Sequence, residues 1–109
     1  MNFKIIFSTK ATEELHESFQ WYENRSVGLG VLFVQFIDKT IKLIELNPEG
    51  YPNKVGPYRE VAFSKFPYLL IYEFVKETQT VYVLHVFHTK RIQNINTRRN
   101  NMMPILVLE

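Results

Sequence analysis

The chain has 109 residues, of which 46% are hydrophobic and 22% charged. That is enough for one globular domain around one core, and it excludes a disordered chain. There is no cysteine, so disulfides, thiolate zinc sites and cysteine nucleophiles are excluded, and the composition suits a reducing cytosol. The net charge of +2 is unevenly spread: residues 1–89 carry nine Lys/Arg against ten Asp/Glu, whereas residues 90–109 carry Lys90, Arg91, Arg98 and Arg99 against Glu109 alone. A basic end of this kind fits either a phosphate-contacting edge or a solvated tail that aids solubility.

The opening apolar run, Phe3 to Phe7, is too short for a signal peptide or a membrane span, so a cytoplasmic location is expected. Its residues are β-prone, and it ends at Ser8-Thr9, either of which can cap a helix. Ala11, Leu15, Phe19 and Tyr22 then share one face of a helix expected to run to about Asn24. Glu13, Glu14 and Glu17 lie near its start, where acids favour the helix dipole. Asn24 to Gly28 breaks the pattern. A second helix is expected from Gly28 or Leu29 to Leu46, with Phe33, Ile37, Ile41 and Ile44 as its inner stripe and Asp38, Lys39, Lys42 and Glu45 on its wet face. Asn47-Pro48 stops it. Gly50 to Pro57 reads as a loop in which Lys54 is the only charge.

From Tyr58 onward three runs rich in β-branched and aromatic residues read as an antiparallel meander. Strict alternation places Arg59, Val61, Phe63 and Lys65 on one face of the first run. In the second, Leu70, Tyr72 and Phe74 oppose Leu69, Ile71, Glu73 and Val75. In the third, Val81, Val83, His85 and Phe87 oppose Tyr82, Leu84, Val86 and His88. The expected fold class is α+β, with a helical hairpin packed on one face of a mostly antiparallel sheet. Residues 1–91 read as the domain and 92–109 as a basic, then apolar, tail. The apolar part, Met102 to Leu108, reads either as a strand or hook on its own domain or as a segment that docks on a second subunit, giving a homodimer.

Four local features resemble the RelE/ParE family of toxins from type II toxin–antitoxin operons, also described as plasmid stabilisation proteins. Ser8-Thr9-Lys10-Ala11 with Glu14-Leu15 looks like that family's first helix opening. Gly28-Leu29-Gly30-Val31-Leu32-Phe33 looks like its second helix opening, and Leu46-Asn47-Pro48 like that helix's end. Tyr58-Arg59 with Phe66-Pro67-Tyr68-Leu69-Leu70-Ile71-Tyr72 resembles the central hairpin. Val86-Phe87-His88-Thr89-Lys90-Arg91 resembles the closing strand and basic end. The resemblance implies the order β-α-α-β-β-β and an antitoxin that wraps the toxin. It also implies one of two activities: ParE-type inhibition of DNA gyrase, or RelE-type, metal-independent cleavage of messenger RNA on the ribosome. A decayed member that only binds its partner is the third possibility.

The residue types support a short set of candidates. Arg59 and Arg91 match the two arginine positions of the cleaving members, where a planar, permanently charged fork suits phosphate oxygens. Arg59 equally fits a structural arginine bridging Glu60 or Glu73 across the sheet. If the chain is a nuclease, His88 and Lys54 are the candidates for proton transfer. His85, among valines, reads better as a packed residue with one hydrogen bond. As a binding surface the set is Arg59, Lys65, Lys90 and Arg91. No spacing marks a metal site, a phosphate loop or a nucleophile elbow, and no cofactor is expected. The acid–base complement looks incomplete, so gyrase inhibition is the favoured expectation.

Overall fold

Two antiparallel helices lie on one face of a five-stranded mixed sheet. The computed structural model describes residues 3–63 and 65–89, so Lys90, Arg91 and the tail with Met102 to Leu108 lie outside the described residues. In chain order the elements are β1 (Lys4–Phe7), α1 (Thr9–Arg25), α2 (Leu29–Leu46), β2 (Asn53–Val55), β3 (Tyr58–Ala62), β4 (Tyr68–Val75) and β5 (Thr80–His88). The strand order is β1-β5-β4-β3-β2. Only β1 runs parallel to its neighbour, pairing Lys4 with Thr80 and Phe7 with Val83. The expected α+β architecture holds, and β5 is the neighbour of β1.

One strand was not expected. Asn53–Val55 pairs antiparallel with β3, inside the stretch read as a loop. Gly56, at φ +57°, makes the turn between the two strands, a backbone conformation that an L side chain rarely adopts. Asn53 reinforces the turn by donating from Nδ2 to the Gly56 carbonyl at 3.2 Å. All three residues of β2 are exposed, so no buried alternation marked it as a strand.

The innermost line of α1 also differs from the expected one. Ala11, Glu14, Ser18 and Tyr22 are buried, while Leu15 and Phe19 are only half-buried. The helix is rolled toward its two polar positions because each meets a partner on the sheet. Ser18 Oγ accepts from the Tyr68 hydroxyl at 2.8 Å, and Glu14 Oε1 accepts from the Val86 N–H at 2.9 Å. Glu14 therefore does not serve as an exposed acid at the helix dipole. Ser8 is the cap: its Oγ accepts from the Ala11 N–H and donates to the Leu84 carbonyl, both at 2.9 Å.

The stripe of α2 is as expected, with Phe33, Ile37, Ile41 and Ile44 all buried. The helices approach closely at Gly30, where an added Cβ would lie 2.6 Å from the Phe19 carbonyl oxygen. The amide groups that open α2 are met from α1: the Glu23 carboxylate accepts from the Gly28 and Gly30 N–H groups at 2.7 and 2.9 Å. Beneath the hairpin, Tyr22, Phe33, Phe66 and Tyr68 form an aromatic centre. Phe33 lies 4.8 Å from Tyr68 and 5.3 Å from both Tyr22 and Phe66.

The faces of β5 are not those that strict alternation predicts. The β4–β5 register pairs Tyr72 with Val83 but Ile71 with His85, leaving Leu84 as an extra residue. This bulge reverses the alternation beyond it. Val86 joins Val81 and Val83 in the helix-facing core. Phe87 turns to the opposite face and packs with Ile71, Leu69 and Tyr58.

Three substitutions check this packing. Phe33→Ala should cost about 3–5 kcal/mol, as large truncations in a tight core do. Glu14→Ala should cost about 1–3 kcal/mol by leaving the Val86 N–H unsatisfied. Glu14→Gln keeps an acceptor and should cost less. Urea unfolding followed by tyrosine fluorescence measures all three, and equal losses for Ala and Gln would refute the role given to Glu14.

Candidate functional site

The best-defined polar constellation lies where α2 ends and the chain crosses to the sheet. Pro48 ends the helix, and the carbonyls of residues 48–51 then have no ladder to join. Two side chains from the sheet meet them. Tyr72, on β4, donates its hydroxyl to the Pro48 carbonyl at 2.6 Å. Arg59, its cross-strand partner on β3, donates from Nη1 to the Glu49 carbonyl at 3.0 Å and to the Tyr51 carbonyl at 2.6 Å. Burial raises the Tyr72 phenol to about 12; the nearby Arg59 charge acts against that rise, and Tyr51 adds to it. Arg59 thus has a structural task, although its partners are loop carbonyls rather than Glu60 or Glu73.

The remaining candidates are spread out. Lys54, exposed on β2, pairs loosely with Glu60 at 4.0 Å. Lys65 is exposed between β3 and β4. His88 sits opposite Tyr68 at the end of β5, with the two rings edge-to-face at 5.2 Å. Arg59 lies on β3 level with Tyr72, two strands and four residues away from His88, which is roughly 16 Å between Cα atoms by strand spacing and rise. Arg91 and Lys90, the second half of the expected basic pair, lie outside the described residues.

His85 behaves as a packed residue. It is 1% exposed, its ring stacks on Phe87 at 4.5 Å, and Nδ1 lies 3.3 Å from Glu14 Oε2. Its Nε2 is buried without a hydrogen-bond partner among the described residues. Among the described residues no group of three His, Cys, Asp or Glu side chains could hold a metal ion.

A model of the ParE toxin of type II toxin–antitoxin systems, parDE, matches residues 5–93. The chain belongs to this family. No curated protein sequence matches it significantly. Among solved structures, the chromosomal ParDE toxin–antitoxin system from P. aeruginosa is similar with a TM-score of 0.67 at 18% identity, covering 79% of this chain and 95% of that one. The intact E. coli RelBE toxin–antitoxin complex is similar at 0.61 and 16% identity, covering 78% and 94%. A RelBE-type toxin–antitoxin complex from Mycobacterium tuberculosis is similar at 0.54 and 19% identity, covering 81% and 99%. At these identities the likeness is one of fold.

In this ParE-family chain the described part of the candidate site is a loop braced by Arg59 and Tyr72, with His88 at the far end of β5. Sequence reasoning found Arg59 but not its partners, because backbone carbonyls in an irregular loop leave no residue signature. It also missed Tyr72 as a loop anchor. The one available signal was its hydroxyl, which must find a partner when the ring is buried.

The braced loop predicts two observable effects. Arg59→Ala should lower stability by about 1–3 kcal/mol through the lost carbonyl bonds alone, measurable by chemical denaturation without reference to activity. Tyr22 is also raised to about 12, first by burial and then by the neighbouring Tyr68. Both phenols hold protons in the native state that the unfolded chain releases nearer pH 10. Their contribution is therefore intact below about pH 10 and is lost as pH rises toward 12. A tyrosinate absorbance titration should show two late phenols, and Tyr72→Phe should remove one of them.

Proposed function

We propose that this chain is a gyrase-directed toxin of the ParE type, acting in the cytoplasm and neutralised by a cognate antitoxin. The observation that carries the reading is the separation, among the described residues, of charge from proton-transfer chemistry. Cleavage of RNA without a metal needs a base for the 2′-hydroxyl, an acid for the leaving oxygen and cations on the phosphate, all within reach of one bond. Here the Arg59 guanidinium braces a loop, and the Cα of His88 lies roughly 16 Å from that of Arg59 along the sheet. Lys54 sits against Glu60 on the edge strand. An inhibitor that binds needs no such convergence. It needs an apolar, aromatic and basic surface; the half-buried Tyr58 and Leu69 beside Ile71 and Phe87 are candidates for its apolar part, and Lys90 and Arg91 follow in the sequence. The match to the ParE toxin model supports this side of the family, and the solved toxin–antitoxin complexes of similar fold support an antitoxin as partner.

The test is direct. Expression of the chain alone should arrest bacterial growth, and co-expression of the adjoining gene should relieve it. Supercoiling by purified gyrase should fall in the presence of the purified protein, while messenger on translating ribosomes stays whole. Messenger cuts that vanish in Arg91→Ala would reverse the assignment in favour of a ribosome-dependent endoribonuclease. Normal growth with soluble protein present would leave a member that only binds its partner.

A further inference from the structure

A second apolar stripe of α2 lies on the flank that faces β3. Phe36, Lys39 and Leu43 recur at helical spacing and, with Tyr51, Val61 and Phe63, line a groove of about 360 Å³ between the helix and the strand. Val61 is buried, Phe36, Tyr51 and Phe63 are half-buried, and Leu43 is 53% exposed. Leu32, one turn before Phe36, continues the exposed apolar line. The Tyr51 wall is fixed by the loop brace: Arg59 holds its carbonyl at 2.6 Å, and its ring meets the Tyr72 ring edge-on at 6.4 Å. Lys39 is the one charged residue among the described lining residues, with Nζ 5.5 Å from the Phe36 ring centroid. Two acids of α2, Asp38 and Glu45, line the opposite flank, so no acid among the described lining residues offsets Lys39.

We infer that this groove is an anchoring site for gyrase, receiving an amphipathic helix of the enzyme whose apolar residues are flanked by an acid. The inference rests on the gyrase reading above and goes beyond it by placing one contact of the toxin on its target. An inhibitor that acts by binding needs an anchor of this kind. The groove is concave and apolar, so it takes inserted side chains, unlike the patch of Tyr58 and Leu69 on the other face of the sheet. Backbone pairing is not on offer there. The Glu60 N–H is met by the Pro52 carbonyl at 3.3 Å and the Phe63 N–H by the Tyr68 carbonyl at 3.1 Å, which leaves Ala62 alone facing out. One residue makes no ladder, and a partner that engages by side chains at successive turns is a helix. The single cation calls for an acid on that helix. It is too little charge for a phosphate backbone, which favours the protein over its DNA as the occupant. The Tyr51 wall is also ordered before binding, so docking has less to fix in place.

Purified gyrase holoenzyme is the probe, with the full-length product of the adjoining gene as the control ligand. Leu43→Glu puts a charge at the apolar rim, and Lys39→Glu reverses the one cation. Both side chains are exposed, so thermal unfolding should stay near wild type. Each variant should weaken gyrase binding about tenfold or more and raise the concentration that halts supercoiling by the same factor, while binding of the gene product is unchanged. Added salt should weaken the wild-type gyrase complex more than that of Lys39→Gln. Inhibition at the wild-type level by both variants overturns the groove as anchor and leaves the gyrase reading standing. Loss of the gene-product complex with gyrase inhibition retained overturns it as well, since the occupant is then the antitoxin. A free protein that is dimeric and becomes monomeric with Leu43→Glu overturns it too, because the groove then belongs to a second copy. Wild-type protein that leaves gyrase untouched removes the gyrase reading and this inference with it.

Discussion

Much of this fold depends on one buried carboxylate. β1 stops at Phe7, opposite Val83, while β5 continues to His88 with a bulge at Leu84. The outer backbone groups of β5 past that point would be buried and unmet. Ser8 and Glu14 take over where β1 ends: the Ser8 hydroxyl meets the Leu84 carbonyl, and the Glu14 carboxylate meets the Val86 N–H. The first turns of α1 thus finish a ladder that the strand does not. This fixes the roll of the helix and places Ser18 and Tyr22 over Tyr68. Burying a carboxylate is costly unless its hydrogen bonds are made, which is why the backbone N–H and the His85 ring close around it.

A second polar brace operates at the other end of the molecule. Arg59 and Tyr72 are cross-strand neighbours that together hold the carbonyls of Pro48, Glu49 and Tyr51. The loop carrying β2 is thereby set against the sheet. A mutation at Arg59 consequently acts on structure as well as on charge, so loss of toxicity in such a variant does not by itself identify a phosphate contact. Stability and activity have to be read together at this position.

The two edges of the sheet are unlike. At β2 the edge is three exposed residues bounded by prolines, a short edge that discourages further pairing. At β1 the edge opens beside an apolar groove. That asymmetry follows from placing a parallel strand at one end of an otherwise antiparallel sheet.

The sequence by itself determined both helices, the strands β1 and β3 to β5, and the class of fold. The helical stripe Phe33-Ile37-Ile41-Ile44, the Pro48 stop and three β-branched runs are strong periodic signals, and each describes contacts made within a few residues or with a generic apolar partner. It also determined the family, since the spacing of Ser8, Gly28, Pro48, Arg59 and Phe66-Pro67-Tyr68 is local information. Only the tertiary structure decided which face each residue occupies past Leu84, because an apolar run carries no mark of a bulge. It alone decided that Glu14 is an internal strut, because an acid near a helix start is ordinarily a solvated one. It alone gave Arg59 its partners and β2 its strand, because loop carbonyls and an exposed three-residue pairing are defined by where distant segments meet and not by what they are made of.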